Sequence, residues 1–121
     1  MEYRVCRNNP APYNDLSGKI SLLGLGTMRL PLRDAADQTS IDEEKAQEIF
    51  DYAYAHGVNY FDTAYPYHGG MSEKFCGKAL AKYPRASYHL ASKLPGWLLK
   101  CDEDVPRIFN EQLANCRTDY F

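Results

Sequence analysis

Apolar positions along the chain alternate between two rhythms. The run LLGLGTM, Leu22 to Met28, is short, apolar and bounded by glycine, which predicts a buried strand. Ala46, Ile49, Phe50 and Ala53 then recur at helical spacing and predict one apolar helix face. Ser40 ahead of Ile41-Asp42-Glu43 has the spacing of a capping box, with the serine as cap and Glu43 reaching back. Acidic residues in that first turn suit the positive end of the helix dipole, and Gly57 stops the helix after His56. VNYFDTA, Val58 to Ala64, is β-branched and aromatic and predicts a second strand. Beyond the loop YPYHGGM, a second helix is expected from about Ser72 to Tyr83, on a stripe of Phe75, Cys76, Ala79, Leu80 and Tyr83, with Pro84 ending it. SYHLASKL, Ser87 to Leu94, predicts a third strand that Pro95-Gly96 breaks. A third helix follows from Asp102 or Asp104 to Cys116, with Val105, Ile108, Phe109 and Leu113 on one face and Pro106 tolerable in the first turn. Ahead of all this, residues 1–21 are polar. The segments YRVC and KISL flank Asn8-Asn9-Pro10 and Asn14-Asp15, the pattern of a hairpin with a long loop capping the domain.

Strand and helix alternate three times. Such alternation implies an α/β fold with parallel strands, right-handed crossovers and helices on one outer face. It fits a doubly wound sheet or a barrel. Gly24-Leu25-Gly26 opens onto the long loop RLPLRDAADQT rather than a helix, so the Gly-x-Gly-x-x-Gly fingerprint of the doubly wound fold is missing, which favours a TIM (β/α)8 barrel.

Charge and composition narrow the function. The 121 residues carry 14 basic and 16 acidic side chains, a net charge of -2, so no positive excess points to nucleic acid or an anionic membrane. No apolar run approaches the ~20 residues that cross a bilayer, and MEYRVCRNNPAPY lacks the apolar core of a secretory signal. Cys6, Cys76, Cys101 and Cys116 form no C-x-x-C pair, so reduced thiols in a cytoplasmic protein are expected. His56, His68 and His89 are scattered, and no metal site is expected.

Strand alternation puts Val58, Tyr60 and Asp62 on one face and Asn59 and Phe61 on the other, while Lys93 shares a face with Ala91 and His89. Asp62 and Lys93 therefore stand at the C-terminal ends of neighbouring strands, the catalytic end of a parallel barrel. Tyr67 lies in the loop just after Asp62. A lysine cation favours phenolate over phenol, an aspartate neutralises and orients the lysine, and a tyrosine so tuned can donate a proton near neutral pH. On spacing alone the same residues are equally well explained by Asp62 capping a loop, Lys93 reaching solvent and Tyr67 packing.

The run FDTAYPYHGGMSEKFCGKAL resembles the aldo-keto reductase signature, in which Asp-x-Ala-x-x-Tyr follows the second strand and Ser-Glu…Gly-x-Ala-Leu forms the next helix. Asp62, Ala64 and Tyr67 match, followed by Ser72, Glu73, Gly77, Ala79 and Leu80. LGLGTMRLP resembles the family's first strand, ASKLPGW the strand of its catalytic lysine, and EQLANCRTDYF the approach to its fourth strand. The MEYR start, TAYPYHGG-SE and KLPGW look most like a bacterial subgroup with a C-terminal ferredoxin-like, iron-sulfur segment. The resemblance implies Tyr67 as proton donor to a small carbonyl substrate, with Lys93 and Asp62 tuning it. Gly26, Thr27 and Met28 would join Asp62 on the side of an NADP(H) or NAD(H) cofactor, and Trp97 would wall the substrate pocket. Tyr65 is a decoy, since the family spacing selects Tyr67. The family's catalytic histidine would fall a few residues beyond Phe121. Against the ~250 residues of a full barrel, the chain corresponds to about the first three and a half βα units and looks like a fragment. Read so, the chain alone would neither bind the cofactor tightly nor turn over, and its open barrel edges would favour self-association. The alternative is a non-catalytic barrel remnant acting in protein association.

Overall fold

The computed structural model describes residues 1–5 and 19–121. A short antiparallel pair, β1 (Tyr3–Val5) and β2 (Lys19–Ser21), opens the fold, with Tyr3 opposite Ser21. The turn expected between them lies outside the described residues. A parallel three-stranded sheet follows, made of β3 (Leu25–Gly26), β4 (Tyr60–Asp62) and β5 (His89–Ala91), in chain order. Three helices connect or follow these strands: α1 (Glu43–Ala55), α2 (Met71–Leu80) and α3 (Asp104–Asn115). Parallel strands added in sequence with a helix after each are the repeating βα unit.

The strands are shorter than the apolar runs that predict them. Leu22 and Leu23 are exposed, and the Leu22 amide donates to the Glu2 carbonyl, prolonging the β1–β2 pair rather than the sheet. The run predicts a buried strand, yet Leu22, Leu23 and Met28 are exposed and only Leu25–Gly26 pairs, because strand length is set by where two backbones stay in register and not by apolar character. The first helix also starts later than its sequence suggests. Asp42, not Ser40, is the N-cap and accepts the Lys45 amide. Ser40 Oγ instead bonds Asp34 and Asp37 in the preceding loop, and Glu43 pairs with Lys78 on α2 rather than reaching back. Gly57, at φ +86°, ends α1 in the left-handed geometry glycine tolerates.

The core lies between the sheet and its helices. Phe50 of α1 stacks on Phe61 of β4 at 5.3 Å and meets Phe75 of α2 edge-on at 5.4 Å. Leu80, Leu90 and Tyr88 are among the other buried members of the cluster. Gly77 lets α2 and α3 touch, because a Cβ there would stand 2.6 Å from the Asn115 carbonyl oxygen. Three expected core positions face outward: Ile49 is 40% exposed, and Val105 and Phe109 are similarly open. Ile108 is buried as expected, and Gln112 joins it in place of Val105 and Phe109. A helical stripe is wider than the contact its neighbour offers, so its flanks stay in solvent.

Candidate active site

Register positions the chemistry. Asp62 of β4 pairs with Ala91 of β5, and Phe61 pairs with Leu90. Phe61 and Leu90 are buried against the helices, so the alternating positions Tyr60, Asp62, His89 and Ala91 turn to the open side of the sheet. Lys93, two residues beyond Ala91, sends its Nζ to both Asp62 carboxylate oxygens at 2.9 and 2.7 Å and to the Thr63 carbonyl at 2.9 Å. The same Nζ lies 4.9 Å from the centroid of the Tyr67 ring. Burial pulls the Lys93 ammonium toward neutrality, but Asp62 and Tyr67 together outweigh it, and its pKa is raised above the ordinary lysine value. The cation, the carboxylate and the phenol thus share one corner at the C-terminal end of the strands. The Lys93 and Asp62 side chains remain 49% and 37% exposed, open to a ligand.

Tyr67 begins a short 3-10 turn, Tyr67–Gly70. His68, the next residue, is buried at φ +53°. Its Nε2 accepts the Leu30 amide at 3.1 Å, and its Nδ1 lies 2.9 Å from the Gln38 carbonyl oxygen. The ring therefore ties the loop after β3 to the turn that carries Tyr67. Nothing in the spacing of the three histidines signals this.

The expected cofactor-side residues separate in space. Gly26 is exposed, with nothing within 4 Å of where a Cβ would stand, and Met28 is exposed beside it. Thr27 between them is fully buried, its hydroxyl turned to the Asp62 carbonyl and to Ser72. Trp97, in the 3-10 turn Gly96–Leu98, is 73% exposed. Tyr65 belongs to a different neighbourhood. Burial and the Glu111 carboxylate of α3 push its phenol up, away from the ionised form. His89 faces the open side, where burial holds its imidazole below the usual histidine range. Among the described residues no three His, Cys, Asp or Glu side chains cluster to hold a metal.

Ser72 and Glu73 match the motif without a role attached to them, yet both are fully buried under the site. A signal existed. Glu73 stands on the same helical stripe as Cys76, Gly77 and Leu80, and an acidic residue on a buried stripe needs partners.

Residues 22–121 match the model of the Aldo/keto reductase family. The chain is 33% identical over 108 residues to the L-galactose dehydrogenase of Arabidopsis thaliana, covering 84% of this chain and 32% of that protein. It superposes on an aldo-keto reductase from Bacillus halodurans in its holo form with a TM-score of 0.72 and 28% identity, over 100% of this chain and 38% of that one. An aldo-keto reductase from Klebsiella pneumoniae in complex with NADPH superposes with a TM-score of 0.66 and 26% identity, over 86% of this chain and 34% of that one. The chain thus spans well under half the length of each of these relatives.

Proposed function

The chain belongs to the aldo/keto reductase family, its parallel βα units are part of a (β/α)8 barrel, and from that premise we propose that the whole protein reduces an aldehyde or ketone with NAD(P)H and that Tyr67 supplies the proton. The observation that carries this reading is the corner itself, with Lys93 Nζ gripped by Asp62 and set against the Tyr67 ring at the open strand ends.

The bare backbone at Gly26, next to exposed Met28 and the Asp62 corner, fits the flat nicotinamide end of such a cofactor. Gly26, Met28 and Asp62 are the residues that would face it, with Thr27 holding the strand end from behind. When bound there, a reduced nicotinamide would supply the hydride that the carbonyl carbon needs. Tyr67 donates its phenolic proton to the carbonyl oxygen as that oxygen gains charge, giving the alcohol. Lys93 favours the phenolate that is left, and Asp62 holds the lysine charged and aimed. The strengthening interactions form as charge develops, so they serve the transition state more than the bound substrate. Trp97, exposed past β5, is the proposed wall of the substrate pocket.

The test is the whole protein with NADPH and a panel of aldehydes. Tyr67→Phe is expected to lower kcat by about 100-fold or more with the NADPH Kd unchanged. Equal loss in both marks Tyr67 as structural and sinks the proposal.

A second reading, self-association of the 121-residue chain, is favoured by a groove of about 490 Å³ beside the edge of β3 that no strand among the described residues pairs. Its walls, including Leu23, Ile49, Tyr52 and Val58, are almost wholly apolar. A chain that sediments as a monomer across its accessible concentrations removes it.

A further inference from the structure

We infer that Ser72 and Glu73, adjacent in the first turn of α2, are positioning residues that set the backbone beneath Asp62 and Lys93. The inference rests on the reading of that pair as catalytic machinery. Neither side chain touches the open face, and both act through chains of hydrogen bonds that run to it.

Ser72 works toward Asp62. Thr27 Oγ1 lies 3.0 Å from the Asp62 carbonyl oxygen, where it can only donate. With that proton committed, the 2.8 Å contact between Thr27 and Ser72 must have Ser72 donating. The 2.9 Å contact between Ser72 and Thr63 then has Thr63 donating. The direction Thr63 to Ser72 to Thr27 to the Asp62 carbonyl follows from that anchor. The Thr27 amide donates to the same carbonyl at 2.9 Å, so that oxygen is held by two donors of one residue.

Glu73 works toward Lys93. One carboxylate oxygen accepts from Ser92 Oγ at 2.6 Å and Gln112 Nε2 at 2.8 Å, and the other from Asn115 Nδ2 at 3.1 Å. The Gln112 amide also reaches the Lys93 carbonyl oxygen at 3.1 Å and Ser92 Oγ at 3.0 Å. Among the described residues these partners are neutral donors. An apolar side chain would fill the same place on the stripe without the cost of burying a carboxylate. What the carboxylate adds is direction: it orients the Gln112 amide, and that amide holds the start of the Lys93 side chain. The long Lys93 stem is half exposed and makes its own geometry only as well as its backbone origin allows. Displacements of about 1 Å in such sites can cost on the order of 100-fold in rate.

The Lys93 ammonium has three protons and three acceptors, the two Asp62 oxygens and the Thr63 carbonyl. In chain labelled with 15N-lysine, in mildly acidic buffer, this protection should give Lys93 a resolved NH3+ correlation, assigned by its loss in Lys93→Arg. Glu73→Gln puts an amide donor among the other donors, and the Lys93 correlation is expected to vanish into the exposed lysines while the variant still melts cooperatively. An unchanged Lys93 signal in folded Glu73→Gln overturns the inference for Glu73. If that variant does not fold, Gln112→Met, which keeps the carboxylate but removes the amide that links Glu73 and Ser92 to the Lys93 carbonyl, decides on the same signal. For Ser72, Ser72→Ala is expected to speed amide exchange at Thr27 relative to the Phe61 amide, and an unchanged ratio overturns that half. No turnover or cofactor enters these readouts. A whole protein inactive toward every carbonyl would sink the proposed function and leave the positioning result standing. An active one with an unmoved Lys93 signal would do the reverse.

Discussion

Phe61 and Asp62 are neighbours in one strand and belong to two different regions of the molecule. Phe61 faces the helices, fully buried, stacked on Phe50 and edge-on to Tyr88 at 6.0 Å. Asp62 faces the open side, half in solvent, with Lys93 as its partner. The helix-facing region holds large apolar side chains packed against one another, and its energy comes from burial. The open region holds charge and hydroxyl groups whose positions are set from behind, through backbone carbonyls held by Thr27 and Gln112. One residue of register separates a face that stabilises from a face free to carry chemistry. Because its geometry is enforced from the other side of the sheet, the open face can change its side chains at little cost in stability.

The largest expected effect tests that division directly. Phe61→Ala should cost about 3–5 kcal/mol in urea unfolding, since it empties the centre of the aromatic cluster. Lys93→Met should cost less than about 1 kcal/mol, as an exposed ion pair is worth little. Similar losses from the two would erase the distinction. Thiol chemistry sharpens it next. Burial pushes the Cys76 thiol up to about 11 and moves Cys116 in the same direction, whereas Cys101 is exposed. Iodoacetamide should label Cys101 in the folded chain while Cys76 and Cys116 react only on unfolding. Early labelling of Cys76 would mean that the helix layer opens as readily as the site.

The smallest effect lies on the outer rim, where Asp51 of α1 accepts from Lys82 and Tyr83, just past the end of α2, and from Gln47. Its carboxyl is held at about 2, below the ordinary 3.8, by Lys82 first and then Tyr83. A carboxylate depressed by folding stabilises above its unfolded value, and that contribution is lost as pH falls from about 3.8 toward 2. Because the pair is largely exposed, the loss should stay under about 1 kcal/mol. Asp51→Asn should remove this part of the acid dependence, and an unaltered acid profile would show that the rim does not couple α1 to α2.

Local pattern was enough for the order of strands and helices, the stop of α1 at Gly57 and the alternation that separates Phe61 from Asp62. Each of these depends on a residue and its near neighbours. The helix start was less legible: Ser40 has the spacing of a cap, but its hydroxyl is taken up by Asp34 and Asp37 in the preceding loop and Asp42 caps instead. Ile49, Val105 and Phe109 read as core by spacing and are exposed, since periodicity names a face without saying how wide its partner is. Thr27 read as a ligand-side residue, yet its hydroxyl is turned inward by a serine 45 positions later.

Period and residue type are local properties, so the pattern along the chain carried the βα rhythm and the parallel sheet, while Asp62, Tyr67 and Lys93 were singled out by motif resemblance, spacing alone fitting structural roles equally well. Tertiary structure alone brings Lys93 Nζ to Asp62 from 31 positions away, ties the loop to the turn through His68, and buries Ser72 and Glu73 beneath the site in contact with Thr63 and Gln112. Those contacts join segments distant along the chain, and a hydrogen bond between them depends on register, helix rotation and burial acting together, which no single stretch of sequence encodes.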